Sequence, residues 1–244
     1  MIRRTIYIIL IMFVALSCNK SNPGDCFKST GAIITESRDV DAFLYLSMEN
    51  NVDVFLTYSP TYTVEVMAGK NIISGIKTTV QNKTLTIKNE NTCNWIRSYE
   101  NPLEVYIGAP KLDSIVYSSS GNLTSTNSFI GDSIKLDVLE GAGSINLWVN
   151  MNRTMWNLHY GTVDLTVKGH SHISYVSSGG YGPADLRALE TTYTYLTSIS
   201  TNNCYVWAGL ELEVKIDNVG DVYYFGNPPT VTLLGTGTGK LYKQ

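Results

Sequence analysis

Gly143-Ser144-Ile145-Asn146-Leu147 sets a pattern that returns as Gly161-Thr162-Val163-Asp164-Leu165. A small turn residue comes first, then a polar residue, then alternating apolar positions. Working outward, the pattern is met again at Gly121-Asn122-Leu123, Gly182-Pro183-Ala184-Asp185-Leu186, Asn202-Asn203-Cys204-Tyr205-Val206, Gly220-Asp221-Val222-Tyr223-Tyr224 and Gly239-Lys240-Leu241. Successive anchors lie 22, 18, 21, 20, 18 and 19 residues apart. Self-similarity at about 20 residues marks a solenoid. One coil of two or three short strands cannot bury its own apolar face, whereas stacked coils share a continuous core.

The second position after each anchor is Leu123, Ile145, Val163, Ala184, Cys204, Val222 or Leu241, so this column is expected to point inward. Alternation along a strand then sends the third and fifth positions outward. Glycine suits the anchor because a sharp coil corner often needs positive φ, and Asn202 stands where the next-best residue for that conformation is expected. Before residue 118 the alternating runs continue without the anchors: FLYLSM (43–48), VDVFLTY (52–58), YTVEVMAG (62–69), KTLTIKN (83–89) and LEVYIGAP (103–110). They read as strands. The expectation is an all-β β-helix-like solenoid over 31–244 as a single domain, with N-terminal strands at 31–117 and glycine-anchored coils at 118–244.

Composition agrees. The 244 residues are 43% hydrophobic and only 16% charged, with 20 glycines, 16 tyrosines and a net charge of -3. Helix-rich chains favour Glu, Lys and Ala instead. The mild acidity argues against a nucleic-acid partner, which calls for a basic face. No run of eighteen apolar residues offers a membrane-spanning helix.

The first residues read as an address. Arg3 and Arg4 precede an apolar stretch from Ile6 to Leu16, followed by Ser17 and Cys18. A basic start, a short apolar core and small residues before a cleavage point make a secretory signal over 1–17. Ala15-Leu16-Ser17-Cys18 resembles the lipobox of bacterial lipoproteins, with Ala15 where that motif usually has Leu. The resemblance implies cleavage before Cys18, lipidation of its thiol and a membrane tether. Without residues 1–17 the chain carries 16 basic against 21 acidic residues, a net of -5, so acyl chains rather than basic residues would hold it to the membrane. Residues 18–30 are polar, include Pro23 and Gly24, and read as a flexible tether. An envelope compartment permits disulfides. Cys26 and Cys93 both lie in polar, loop-like settings and are the candidate pair. Cys204, on the inward column, is expected to be a buried free thiol.

The Ser-Gly turns SSSGN (118–122), GAGSIN (141–146), SSGGYG (177–182), NVGDV (218–222) and GTGTG (235–239), with strands between them, resemble the GIN-domain family, also labelled as the head domain of auto-transporter adhesins. Gly143-Ser144-Ile145-Asn146 and Gly220-Asp221-Val222-Tyr223-Tyr224-Phe225-Gly226 carry the match best, with Val52-Asp53-Val54 and Lys83-Thr84-Leu85-Thr86-Ile87 in the N-terminal half. Asn202 and Tyr160-Gly161 depart from the family's Ser-Gly pattern. The resemblance implies a right-handed parallel β-helix-like solenoid on a lipidated Gram-negative envelope protein, tethered to the outer membrane. It implies no catalytic residue and no cofactor.

Two constellations stand out. Tyr205, Trp207, Tyr223 and Phe225, with Trp148 on the same column, form an expected outward aromatic surface suited to a glycan or an envelope-protein partner. Asp164 and Asp185 are expected to stack on neighbouring coils beside Arg187, as an acid/base pair on a polysaccharide lyase or hydrolase requires. His170 and His172 share a strand face, but only His159 remains as a third ligand, so no metal site is read. GTGTGK (235–240) lacks the following helix that a phosphate loop needs. The favoured function is therefore non-enzymatic: a lipid-anchored envelope adhesin or glycan- or partner-binding module. The alternatives are a polysaccharide-cleaving enzyme, and a structural module that forms oligomers through its ends or its aromatic face.

Overall fold

The structure, a computed structural model, describes residues 29–91 and 102–244. Cys18, Cys26 and Cys93, with the proposed signal and most of the tether, lie outside the described residues. The chain folds as a β-solenoid of about six turns, about 20 residues apart. Its C-terminal strands are β10 (Phe129–Gly141), β11 (Ser144–Leu158), β12 (Asp164–Ser178), β13 (Ala184–Ser198), β14 (Cys204–Trp207), β15 (Glu211–Ile216), β16 (Val222–Phe225), β17 (Thr230–Leu234) and β18 (Leu241–Lys243). Every pairing among them is parallel.

Each long strand serves two faces. In β11 the side chains alternate up to Met151, then Asn152 and Arg153 are both exposed and the alternation resumes with opposite phase. Two successive outward side chains bend the strand around the core. The first half of β11 to β13 joins β14, β16 and β18 on one face. The second half joins β15 and β17 on the other.

The N-terminal strands are β1 (Ile33–Arg38), β2 (Tyr45–Asn50), β3 (Asp53–Tyr58), β4 (Thr63–Gly69), β5 (Ile76–Gln81), β6 (Thr84–Asn89), β7 (Glu104–Ala109), β8 (Ser114–Ser119) and β9 (Leu123–Ser125), with one short 3-10 turn at Ile73–Gly75. Here spatial order departs from chain order. The β2–β3 coil lies between the β6–β7 coil and the β8–β9 coil, parallel to both. β4 and β5 run backwards, antiparallel to β7 and β6, and β1 is antiparallel to β4.

The inward column holds. Leu123, Ile145, Ala184, Cys204 and Val222 are fully buried, and burying one large aliphatic side chain stabilises by about 1.5–3 kcal/mol. The register corrects one member. Ile145 pairs with Leu165, and Leu165 with Ala184, so Leu165 rather than Val163 occupies the column. Val163 is buried two residues earlier, inside the turn. The polar residue after the anchor acts as a stitch between coils. The Asp53 carboxylate accepts from the Asn122 amide at 2.6 Å and the Asn122 side chain from the Ser144 amide at 3.0 Å. Asn203 and Asp221 repeat this toward Asp221 and Lys240.

The anchors themselves answer mostly to space. A Cβ on Gly182 would lie 2.0 Å from the Val163 carbonyl oxygen of the coil before. Asn202 does not adopt positive φ. It holds its anchor by donating to the Tyr181 carbonyl at 3.0 Å while accepting from the Asn203 amide at 2.8 Å.

Candidate functional site

The register brings four of the expected aromatic residues together. Tyr205 lies opposite Tyr223, and Trp207 opposite Phe225; all four are half-buried. Trp148 stays apart on an earlier coil, exposed, with Lys168 Nζ 4.7 Å from its ring centroid.

The geometry changes what this surface offers. The Tyr205 and Tyr223 rings stack at 5.1 Å and 17°, and Tyr223 and Tyr242 at 5.2 Å and 21°. The far side of Tyr205 is covered by the Arg187 guanidinium at 4.2 Å, which also lies 5.6 Å from Phe225. Arg187 Nε donates to Asp185 Oδ1 at 2.8 Å, and that bond raises the arginine further above its ordinary pKa. The faces of Tyr205 and Tyr223 are therefore spent on neighbouring rings and Arg187, and these two residues show ligands their ring edges and hydroxyls. Burial, then Asp221, pushes the Tyr223 phenol up.

The carboxylate pair is overturned by the register. Asp164 pairs with Ser144, whereas Asp185 pairs with Thr166 and Tyr205. The two carboxylates occupy different columns, and Asp185 is already neutralised by Arg187. The expectation failed because the inward column is met four residues after Gly161, at Leu165, and two residues after the other anchors.

A cleft that sequence reasoning missed opens along the strand bend, with a volume of about 460 Å³. It crosses four coils: Asn150, then His170 and His172, then Glu190 and Thr192, then Trp207. Three strand spacings make it about 14 Å long. Asn150, His170 and Glu190 are successive partners across the coils. His170 Nδ1 is 3.5 Å from Glu190 Oε2, and His172 Nδ1 is 3.1 Å from Thr192 Oγ1. All of these polar side chains are accessible from solvent.

The Trp207 wall is fixed. Its carbonyl accepts from the Thr191 hydroxyl at 2.5 Å and the Thr194 hydroxyl at 2.8 Å. A Cβ on Gly209 would lie 3.2 Å from its indole, and so would one on Gly226, so two glycines make room for the ring. The available signal was the His-x-His pair at 170–172 beside the point where alternation breaks. His159 lies elsewhere, 3.7 Å from Asp137. Among the described residues no group of three or more His, Cys, Asp and Glu is placed to share a metal ion. Among them, too, no helix is long and apolar enough to cross a membrane.

The family model described as "Putative auto-transporter adhesin, head GIN domain" matches residues 42–228. The chain belongs to the GIN-domain family. Solved structures of similar shape agree with the fold. A "putative adhesin" from Bacteroides fragilis superposes with a TM-score of 0.81 at 18% identity, over 87% of this chain and 97% of that one. A "putative adhesin" from Parabacteroides distasonis gives 0.67 at 19%, over 88% and 98%. A "putative lipid binding protein" from the same species gives 0.67 at 14%, over 88% and 98%. At these identities the likeness is one of fold. No curated protein matches the sequence. The residues that line the bend cleft lie within the part of the chain that matches the GIN domain, as do Tyr205 and Tyr223 of the ladder.

Proposed function

We propose that this GIN-domain protein is a non-catalytic binding module of the bacterial cell envelope, anchored by lipid on Cys18, that takes a saccharide chain in the cleft beside Trp207. The family description points to adhesion at a cell surface, and the printed descriptions of the adhesin-like structures point the same way.

The observation that carries the saccharide reading is the indole wall. Trp207 lines the cleft together with the apolar Met151 and Leu210, and amide, imidazole, carboxylate and hydroxyl groups lie among them. Sugars present an apolar ring face together with hydroxyls, so they need one flat aromatic wall and several hydrogen-bonding neighbours. A length of about 14 Å suits a short oligosaccharide lying across the coils. The cleavage alternative lacks support, because Asp164 and Asp185 lie on separate columns.

The test is a binding screen over neutral, amino and acidic oligosaccharides, followed by titration of the best ligand. Trp207→Ala should weaken binding by about 30-fold, the equivalent of a hot-spot contact of about 2 kcal/mol. Tyr160→Ala, at a distant exposed site, should leave it unchanged. No binding anywhere in the screen, or equal binding by Trp207→Ala, overturns the proposal.

A further inference from the structure

On the face built from the second halves of β11 to β13 with β15, the outward side chains form ranks across the coils. Met155, Tyr175, Tyr195 and Glu213 are successive partners, as are Asn157, Ser177, Thr197 and Lys215. Tyr193 and Glu211 are partners in a third rank. The Tyr175 and Tyr195 rings stack at 5.4 Å and 21°. Beside them the short Ser177 and Thr197 leave a groove of about 230 Å³, which Asn157 and Glu213 also line. Tyr175 is exposed, and Tyr195, Glu211 and Glu213 are half-buried.

The opposite face shows the same kind of rank in complete form. Asp185 lies directly opposite Tyr205 on the neighbouring parallel strand. Arg187, two residues after Asp185, donates to that carboxylate and lays its guanidinium 4.2 Å from the Tyr205 ring centroid. Carboxylate, cation and ring make one unit. Glu213 stands in the same relation to Tyr195, and Glu211 to Tyr193. What differs is the cation. Two residues after Glu213, Lys215 turns instead to Asp217 at 2.6 Å. Two residues after Glu211 comes Glu213 itself. Among the described residues no cation lies over Tyr193 or Tyr195, and neither glutamate joins an ion pair. Burial, then Glu211, pushes the Tyr195 phenol up.

We propose that this surface docks an extended segment of a partner protein that carries lysine or arginine at alternate positions. Charge complementarity selects the cations, since two carboxylates and the π-faces beside them attract positive charge. Spacing selects the extended segment. Glu211 and Glu213 lie two residues apart on one strand, about 6.6 Å, and alternate side chains of an extended chain repeat at the same distance. One cationic side chain enters the groove to reach Tyr195 and Glu213, and the next meets Glu211 and Tyr193. No lysine or arginine lines the groove to oppose them. The surface does not depend on a saccharide in the cleft beside Trp207.

NMR titration of the full chain with two capped peptides, Thr-Arg-Thr-Arg-Thr and Thr-Arg-Arg-Thr-Thr, each to about 10 mM, tests this. The two have equal charge and composition, but adjacent arginines point to opposite sides of an extended chain. The alternating peptide should bind about fivefold more tightly, one cationic contact more, with its shifts centred on Tyr193, Tyr195, Glu211 and Glu213. Glu213→Gln should bring it down to the level of the adjacent peptide. Glu65→Gln, the same change of charge at an exposed position of β4, should leave binding unchanged. Should Glu213→Gln lose the native circular dichroism spectrum, Glu211→Gln serves in its place. Equal binding of the two peptides, or full binding by the glutamine variant, would mean unspecific charge attraction, and the proposal fails. It fails equally if neither peptide binds, or if spermidine binds as tightly as the alternating peptide, which would make this a site for a free polyamine.

Discussion

Gly169→Ala is a sharp test of the coil register. Gly169 has a φ of +115° and pairs with Val149 on the coil before. A Cβ there would sit 2.0 Å from the Val149 carbonyl oxygen and 3.0 Å from Trp148 Cδ1. The carbonyl belongs to the interior of a parallel ladder, so it cannot turn aside without breaking pairing. Forcing a side chain into that backbone conformation costs about 1–3 kcal/mol, and overpacking adds a similar amount, for a total of about 2–6 kcal/mol. Gly131, beside Met151 at the same bend one coil earlier than Met151, is the control. Its φ is ordinary, and a Cβ would meet Met151 Sδ at 3.3 Å, the flexible part of a side chain. Gly131→Ala should therefore stay within about 1 kcal/mol of wild type, with a gain possible because alanine restricts the unfolded chain. Urea unfolding followed by tryptophan fluorescence reads both, and Trp156, fully buried in the coil next to Gly169, is a local reporter. If Gly169→Ala unfolds within about 0.5 kcal/mol of wild type, or if Gly131→Ala costs as much as Gly169→Ala, the pairing of Gly169 with Val149 is wrong.

Two further outcomes follow from buried titratable groups. The Tyr117 phenol donates to the Gly121 carbonyl at 2.7 Å and is pushed up to about 12 by burial, with Asp53 adding to the rise. Its folded pKa exceeds its unfolded value, so its contribution to stability is whole below pH 10 and is lost as pH rises through about 12; Tyr117→Phe should flatten that alkaline loss in pH-dependent unfolding. Burial also pushes the Cys204 thiol up, against smaller opposing effects of Ser178 and Ser198. A thiol-labelling reagent at pH 8 should leave Cys204 unmodified in the native protein and modify it in denaturant, with mass mapping to separate it from the other cysteines.

The C-terminal coils were legible because one residue pattern states the same fact several times. Leu123, Ile145, Ala184, Cys204 and Val222 all reach the core from an anchor two residues earlier. The one slip, at Gly161, has a local cause: Thr162 and Val163 belong to the turn, and the strand starts at Asp164. That displacement put Asp164 beside Asp185 on paper and nowhere else. In the N-terminal half β2, β3, β4, β6 and β7 were legible as alternating runs, whereas β1, β5 and β8 were not, and the arrangement was not legible at all. Alternation gives each strand two faces and says nothing about neighbours, so neither the insertion of β2–β3 between later coils nor the reversal of β4 and β5 could be read. The charged pair Glu36–Arg38 did carry a signal, since it sits in an otherwise strand-like run. Only the pairing of β1 with β4 shows that those charges lie opposite the buried Val66 and Val64.

The tyrosine ladder shows why a solenoid's best-ordered columns make poor platforms. Coils about 20 residues apart place like positions on adjacent strands, about 4.8 Å from each other. That is close to the stacking distance of aromatic rings, so Tyr205, Tyr223 and Tyr242 satisfy one another, and Arg187 takes the outer face of Tyr205, which leaves the outer face of Tyr242. A ligand competing for those faces would first have to separate them. At the bend the constraint is relaxed. Two successive side chains point outward, as Asn152 and Arg153 do in β11, and the columns on either side splay apart. Polar groups there, such as His170 and His172, keep part of their hydrogen-bonding capacity for something other than the next coil. The site of recognition on this scaffold is therefore expected where the alternation breaks, beside Trp207, rather than where the repeat is most regular.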